Sequence, residues 1–143
     1  METISLRNIL EEVNQAVNKE EVHIQPTAET PEVILNKNEG RIKFRGRSMP
    51  QDAKSFYTPL LEWLVNYKEK PAPGTQVTFE YEYFNTASSK MIMEIIMELN
   101  AISEKDRQFK AEWHYIEDDE DMFDAGKDYE EMTGISFNFC CYS

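Results

Sequence analysis

Residues 85–89, Asn85-Thr86-Ala87-Ser88-Ser89, set an amide and a cluster of hydroxyls side by side, with Lys90 directly after them. Two kinds of chemistry suit such a run. Short polar side chains cap helices, because their oxygens accept hydrogen bonds from the unpaired amides of the first turn. A hydroxyl at a helix N-terminus is also well placed to carry a phosphate, since the free amides and the positive end of the dipole face the added charge. The first reading makes the run structural and the second makes it a switch, and the residues alone allow both.

Either role depends on the elements that flank the run. Val77, Phe79, Tyr81 and Tyr83 alternate with Thr78, Glu80 and Glu82, the period of a strand with one buried face. After the run the apolar period changes: Met91, Ile92, Ile95, Ile96 and Leu99 recur at helical spacing. The hydroxyls therefore fall where a strand ending near Phe84 hands over to a helix.

Upstream, Leu6, Ile9, Leu10, Val13 and Val17 form the stripe of an amphipathic helix over residues 3–19, with Thr3 or Ser5 as its cap. This helix either packs on its own domain or serves as a dimerisation or docking element. Residues 22–31 turn polar and carry prolines, which predicts a connector. Residues 33–35 and 42–44 are short strand candidates joined by a turn rich in Asn, Lys and Gly. Arg41, Lys43, Arg45 and Arg47 alternate on the second of them as a basic row, either solvated or able to hold a partner's carboxylates. Residues 48–50 read as a helix entry, leading to the apolar face of Phe56, Leu60, Leu61, Leu64 and Val65, with Pro59 an awkward member. Residues 68–75 form the loop before the central strand. Beyond the central helix, Phe109, Ala111, Trp113 and Tyr115 alternate as a strand, and the acidic run 117–121 opens another helix. A last strand spans 135–141. Strands separated by helices imply parallel crossovers, so the chain is predicted to be a single α/β domain with a mixed sheet of about five strands.

Composition narrows the function classes. At 143 residues with 41% hydrophobic and 12% aromatic content, the chain is one folded domain. Fifteen basic against 27 acidic side chains give a formal net charge of −12, which repels nucleic acid and anionic membranes and favours basic patches on protein partners. No apolar run approaches the roughly 20 residues of a membrane span, and the N-terminus lacks the layout of a signal peptide, so a cytoplasmic protein is expected. Cys140 and Cys141 are adjacent and are read as reduced. His23 and His114 each stand apart from any cysteine in sequence, and the acidic run lacks the spacing and glycine of a calcium loop. There is no zinc spacing, Walker loop, dinucleotide glycine pattern or nucleophile elbow. No metal, cofactor or catalytic residue is therefore expected, and the chain is read as not an enzyme.

The words Tyr83-Phe84-Asn85-Thr86-Ala87-Ser88-Ser89-Lys90 resemble the signature of the SiaC family of bacterial regulatory phosphoproteins. Further stretches match in order: Thr30-Pro31-Glu32-Val33; Gly46-Arg47-Ser48-Met49-Pro50 with Phe56-Tyr57-Thr58-Pro59-Leu60; and Trp113-His114-Tyr115 with Asp119-Glu120-Asp121-Met122. The likeness covers roughly residues 22–139, which divides the chain into an N-terminal extension (1–21) and a regulatory domain (22–143). It implies a STAS-like fold of the SpoIIAA type and a partner-switching role in cyclic-di-GMP signalling. In that scheme a dedicated serine/threonine kinase phosphorylates Thr86, and a metal-dependent phosphatase reverses the step. The unmodified form binds an effector such as a diguanylate cyclase. Asn85, Ser88, Ser89 and Lys90 surround the site, with Ser88 and Ser89 as rival acceptors. Ala87 and Gln51 depart from the family pattern, where a serine and a glutamate are usual. Two other readings stay open: an unmodified structural adaptor, and a small enzyme working at the acidic cleft.

Overall fold

The computed structural model describes residues 6–143, so Thr3 and Ser5, the expected caps, lie outside the described residues. Helix α1 (Leu6–Ala16) leads to strands β1 (Glu21–Ile24), β2 (Glu32–Asn36) and β3 (Arg41–Ser48). Helix α2 (Ala53–Glu69), strand β4 (Gln76–Phe84), helix α3 (Thr86–Ser103), strand β5 (Lys110–Ile116), helix α4 (Glu120–Thr133) and strand β6 (Asn138–Tyr142) complete the chain.

The strands form one mixed sheet in the order β1-β2-β3-β4-β5-β6. The first pairings, β1 with β2 and β2 with β3, are antiparallel, and β3 to β6 run parallel. Each parallel step needs a crossover, and crossovers of one hand in a strictly sequential order put α2, α3 and α4 on one face. The result is two layers, helices over a sheet whose other face is open.

Alternation decides which face is which. Val33, Phe44, Phe79, Trp113 and Phe139 are lateral partners across β2 to β6 and point into the helix layer. Phe44 stacks on Phe79 at 5.6 Å between ring centroids, and Phe79 lies 5.5 Å from Trp113. Burying such rings removes the largest apolar areas the chain has from water. The residues in between, among them Lys43, Arg45, Glu80, Glu112 and His114, line the open face. The basic row on β3 does alternate outward, but Arg45 is drawn into ion pairs with Glu32 (3.8 Å) and Glu80 (3.5 Å).

Three sequence expectations need correction. The connector over residues 22–31 begins with a strand: Val22 and Ile24 point inward from β1, making six strands where about five were expected. Four residues followed by Pro26 and polar side chains carry too weak a period to read alone, and β1 takes its order from pairing with β2. Residues 48–50 do not open a helix. Ser48 ends β3 fully buried, and α2 starts at Ala53 behind the Asp52 cap, whose carboxylate accepts from Ser55 N at 3.1 Å. Tyr83 does not share the buried face of Tyr81, being 45% exposed. Gly46 pairs with Tyr81 and Arg47 with Tyr83, so Glu82 is an extra residue on β4, a bulge that reverses the alternation beyond it.

Helix α2 runs through Pro59 without interruption. Helix α1 lies on α2 and adds Ile9, Val13 and Ala16 to the same hydrophobic core, while Trp63 of α2 donates its indole N–H to the Lys19 carbonyl at 2.8 Å. Helix α4 approaches the sheet through Gly126, where a Cβ would stand 2.7 Å from Trp113 Cδ1 and 2.8 Å from Phe139 Cε1. Both rings belong to the packed aromatic layer and cannot easily move aside. Gly126→Ala is therefore expected to lose about 1–2 kcal/mol, overpacking outweighing the better helix propensity of alanine. Urea unfolding checks this, with a lower midpoint as the expected result.

Candidate functional site

The C-terminal ends of β3, β4 and β5 all meet the starts of α2, α3 and α4 at one edge of the sheet. Each start is capped by an Asx side chain: Asp52, Asn85 and Asp119. The family-like stretches gather at this edge. Met49 N donates to the Glu29 carbonyl at 2.8 Å, which joins the 30–33 segment to the end of β3, and Asn85 N donates to the Ser48 carbonyl at 3.0 Å. The acidic run leaves the end of β5 beside them; Asp118 takes a positive φ of 75°, and the Asp119 carboxylate accepts from Met122 N at 3.0 Å.

The bulge at Glu82 sets the geometry of the hydroxyl run. With the alternation reversed, Phe84 turns inward against Tyr81 and Tyr129 (centroids 5.5 and 6.2 Å), and Tyr83 turns outward beneath the Arg47 guanidinium, 5.5 Å from its ring centre. Asn85 then adopts extended backbone, φ −82° and ψ 174°, and its side-chain oxygen accepts from Ser88 N at 2.8 Å. This satisfies one of the first-turn amides and fixes where the helix begins. Thr86 is the first helical residue.

The hydroxyls of the run have different fates. Thr86 is exposed. Ser88 is wholly buried, and its Oγ accepts from Ser48 Oγ at 2.9 Å. Ser48 in turn shares a short hydrogen bond with the Tyr57 hydroxyl, which lies 3.1 Å from the Tyr81 hydroxyl. Ser89 is half-buried and bonded to the Tyr129 hydroxyl at 2.9 Å, and Tyr129 donates to the Ser89 carbonyl at 2.9 Å. Lys90 is exposed four residues after Thr86, the spacing at which helical side chains share a face. Ala87, exposed between them, has no polar group to add.

The chain of hydroxyls Ser88–Ser48–Tyr57–Tyr81 is the part of the site the sequence reading missed. A signal was present: Ser48 continues the inward set of Ile42 and Phe44 on β3, and a polar residue on a buried face needs a partner. The chain has a direct electrostatic consequence. Burial pushes the Tyr57 phenol up to about 12 and the Tyr81 phenol well above its usual range, because a phenolate there would lose its hydration. The isolation of His114 from cysteine also holds only along the sequence, since parallel pairing sets it opposite Cys140 on β6.

Fold and edge together define a small two-layer α/β domain that presents one threonine at a helix start. The model of the SiaC family of regulatory phosphoproteins matches residues 24–142. The chain belongs to the SiaC family. A relative from Pseudomonas aeruginosa (strain UCBPP-PA14), the uncharacterized protein PA14_02130, is 22% identical over 117 residues, 82% of this chain and 93% of that protein. The crystal structure of apo-SiaC from Pseudomonas aeruginosa superposes with a TM-score of 0.73 at 22% identity, covering 87% of this chain and all of that one. SiaC in the crystal structure of the diguanylate cyclase SiaD in complex with its activator SiaC gives the same TM-score at 23% identity, over 85% of this chain and 98% of that one. These likenesses show the fold, with its six strands and the helices on one side.

The buried phenols generate a pH dependence. An unfolded tyrosine releases its proton near 10.0 and folded Tyr57 near 12, so between these values the unfolded chain binds fewer protons. The Tyr57 contribution is complete below about pH 10 and is lost as the pH rises toward 12, at about 1.4 kcal/mol per pH unit. Urea unfolding across this range should show that decline, and Tyr57→Phe should make it shallower, Tyr81 and Tyr129 keeping their share, while lowering stability at neutral pH.

Proposed function

We propose that this chain is a phospho-regulated protein-binding switch in cyclic-di-GMP signalling, and not itself an enzyme. The unmodified form binds an effector of the diguanylate cyclase class, a dedicated serine/threonine kinase adds a phosphate to Thr86, and a metal-dependent phosphatase removes it. The observation that carries this reading is the unequal exposure of the hydroxyls. Thr86 reaches solvent at the first residue of α3, whereas Ser88 is enclosed and Ser89 is held by Tyr129. The complex of a SiaC with its cyclase supports the choice of effector class. No described helix is long and apolar enough to cross a membrane, and the acidic surface suits a cytoplasmic protein that meets basic patches on partners.

A phosphate on Thr86 adds a charge of roughly −1.5 to −2 at neutral pH. The amides and dipole of the first turn of α3 offset part of it, and Lys90 is within one turn. The fold therefore tolerates the modification. A partner surface shaped around a neutral threonine does not, because enclosing an unpaired dianion is costly. Modification acts on binding, not on folding.

The N-terminal helix is a separate matter. Residues 1–21 are proposed as an extension to a regulatory domain of residues 22–143, since the family match begins at residue 24. A chain lacking residues 1–19 is expected to keep its sheet, with a far-ultraviolet circular dichroism spectrum that differs only by the lost helix. Its stability should fall by about 2–5 kcal/mol, as Ile9, Val13 and Ala16 no longer cover α2. A truncated chain without cooperative unfolding would make α1 an integral part of the domain.

Incubating the wild type and Thr86→Ala with the cognate kinase and ATP, then mapping phosphate by peptide mass spectrometry, tests the central assignment. Phosphate on the 83–90 peptide of the wild type, and none on Thr86→Ala, is expected. Thr86→Asp should remain folded and bind the purified cyclase at least tenfold more weakly. Equal phosphorylation of both proteins would assign another acceptor, and no phosphate on either would favour the plain adaptor.

A further inference from the structure

The open face of the sheet carries a second constellation, remote in sequence from the hydroxyl run. Glu112 and His114 lie two residues apart on β5 and so share a face, and β6 sets Cys140 directly opposite His114. The carboxylate oxygen of Glu112, a ring nitrogen of His114 and the Cys140 sulfur lie within 4.8 Å of one another, and all three residues are half-buried. His114 Nε2 is 3.0 Å from Glu112 Oε1, while its Nδ1 is 3.8 Å from Glu80 Oε1 on β4. Glu80 is itself held by Arg45 at 3.5 Å, which reaches on to Glu32.

We propose that Glu112, His114 and Cys140 bind a divalent transition-metal ion of the zinc class. Thiolate, imidazole and carboxylate form the mixed donor set that suits zinc or cobalt, whereas magnesium and calcium require several hard oxygens. Tetrahedral bonds of about 2.0–2.3 Å put ligand atoms about 3.3–3.8 Å apart. The separations here approach that range, and rotation of the Cys140 and Glu112 side chains closes the remainder. Without the ion, Nε2 bonds Glu112; once the ion takes Nε2, the ring proton moves to Nδ1, where Glu80, 3.8 Å away, needs only a small side-chain shift to accept it and support the ligand.

The backbone strengthens the argument. Ligands on paired strands are placed by the sheet itself, so little ordering is left for the ion to impose. A fourth position faces solvent and is open to water or to a side chain of a binding partner. On binding, the Cys140 thiol gives its proton to solvent and the sulfur lone pair bonds the ion, so affinity rises with pH. The ion ties the edge strand β6 to β5.

The test uses the full-length reduced protein and the metals alone. One equivalent of cobalt(II) is expected to give a thiolate-to-cobalt charge-transfer band with the intense visible bands of tetrahedral coordination. Zinc(II) should displace it and raise Tm, while magnesium leaves Tm unchanged. Cys140→Ser should abolish the charge-transfer band and the rise in Tm, and Cys141→Ser should retain both. Glu112→Gln and His114→Gln should each weaken cobalt binding at least tenfold, with circular dichroism confirming the fold. Absence of the band in the wild type, its survival in Cys140→Ser, or an equal rise in Tm with magnesium would each overturn the assignment.

Discussion

The structure depends on a line of buried hydroxyls that fastens the start of α3 to the sheet. Ser88 on the helix, Ser48 at the end of β3, Tyr57 on α2 and Tyr81 on β4 join four separate elements through three side-chain hydrogen bonds. Each such bond contributes only about 1 kcal/mol net, but removing one member strands a buried partner at a cost of about 1–3 kcal/mol. That asymmetry makes the line a positional constraint more than a source of stability. It holds the first turn of α3 at one height above the sheet, so that Thr86, two residues before Ser88, can stand in solvent at a defined place.

The bulge at Glu82 completes the constraint. Were Glu82 instead paired in a regular ladder, Tyr83 would continue the inward set and Phe84 would point into solvent. With the bulge, Phe84 closes the core against Tyr81 and Tyr129, and the chain enters Asn85 in the extended conformation its capping role needs. Gly46, opposite the bulge on β3, has a φ of 111°, a conformation side chains rarely adopt, and it lies beside Pro31 with room for a Cβ, so the backbone alone requires glycine. The family-like stretches around residues 31, 46 and 84 thus serve one local geometry, although they lie far apart in sequence.

The long elements were legible because their periods are strong. Phe79 and Tyr81 against Thr78 and Glu80, then Ile92, Ile95, Ile96 and Leu99, mark the central strand and helix directly, and Asn85 caps as its type and place imply. Strand β1 was not legible, since two inward residues followed by a proline segment make no distinguishable period, and only pairing with β2 orders it. Ser48 was misread because serine commonly caps helices, and here tertiary pairing with Ser88 and Tyr57 overrides that preference. The sequence could not separate Thr86 from Ser88 by residue type. Separation comes from the bulge, which a strand pattern cannot announce, and from which way the first turn of α3 faces. The approach of His114 to Cys140 is likewise a product of sheet register alone.

The most direct measurement is amide hydrogen exchange on the unmodified protein and on protein stoichiometrically phosphorylated at Thr86. If the hydroxyl line holds α3 while Thr86 lies outside it, changes should be confined to amides of residues 83–90 and their neighbours at that edge. Protection of β3, β4 and β5 should stay the same in both forms. Loss of protection across the sheet on phosphorylation would contradict the account, because it would mean that a phosphate on Thr86 acts by unfolding the domain and not by changing one exposed surface.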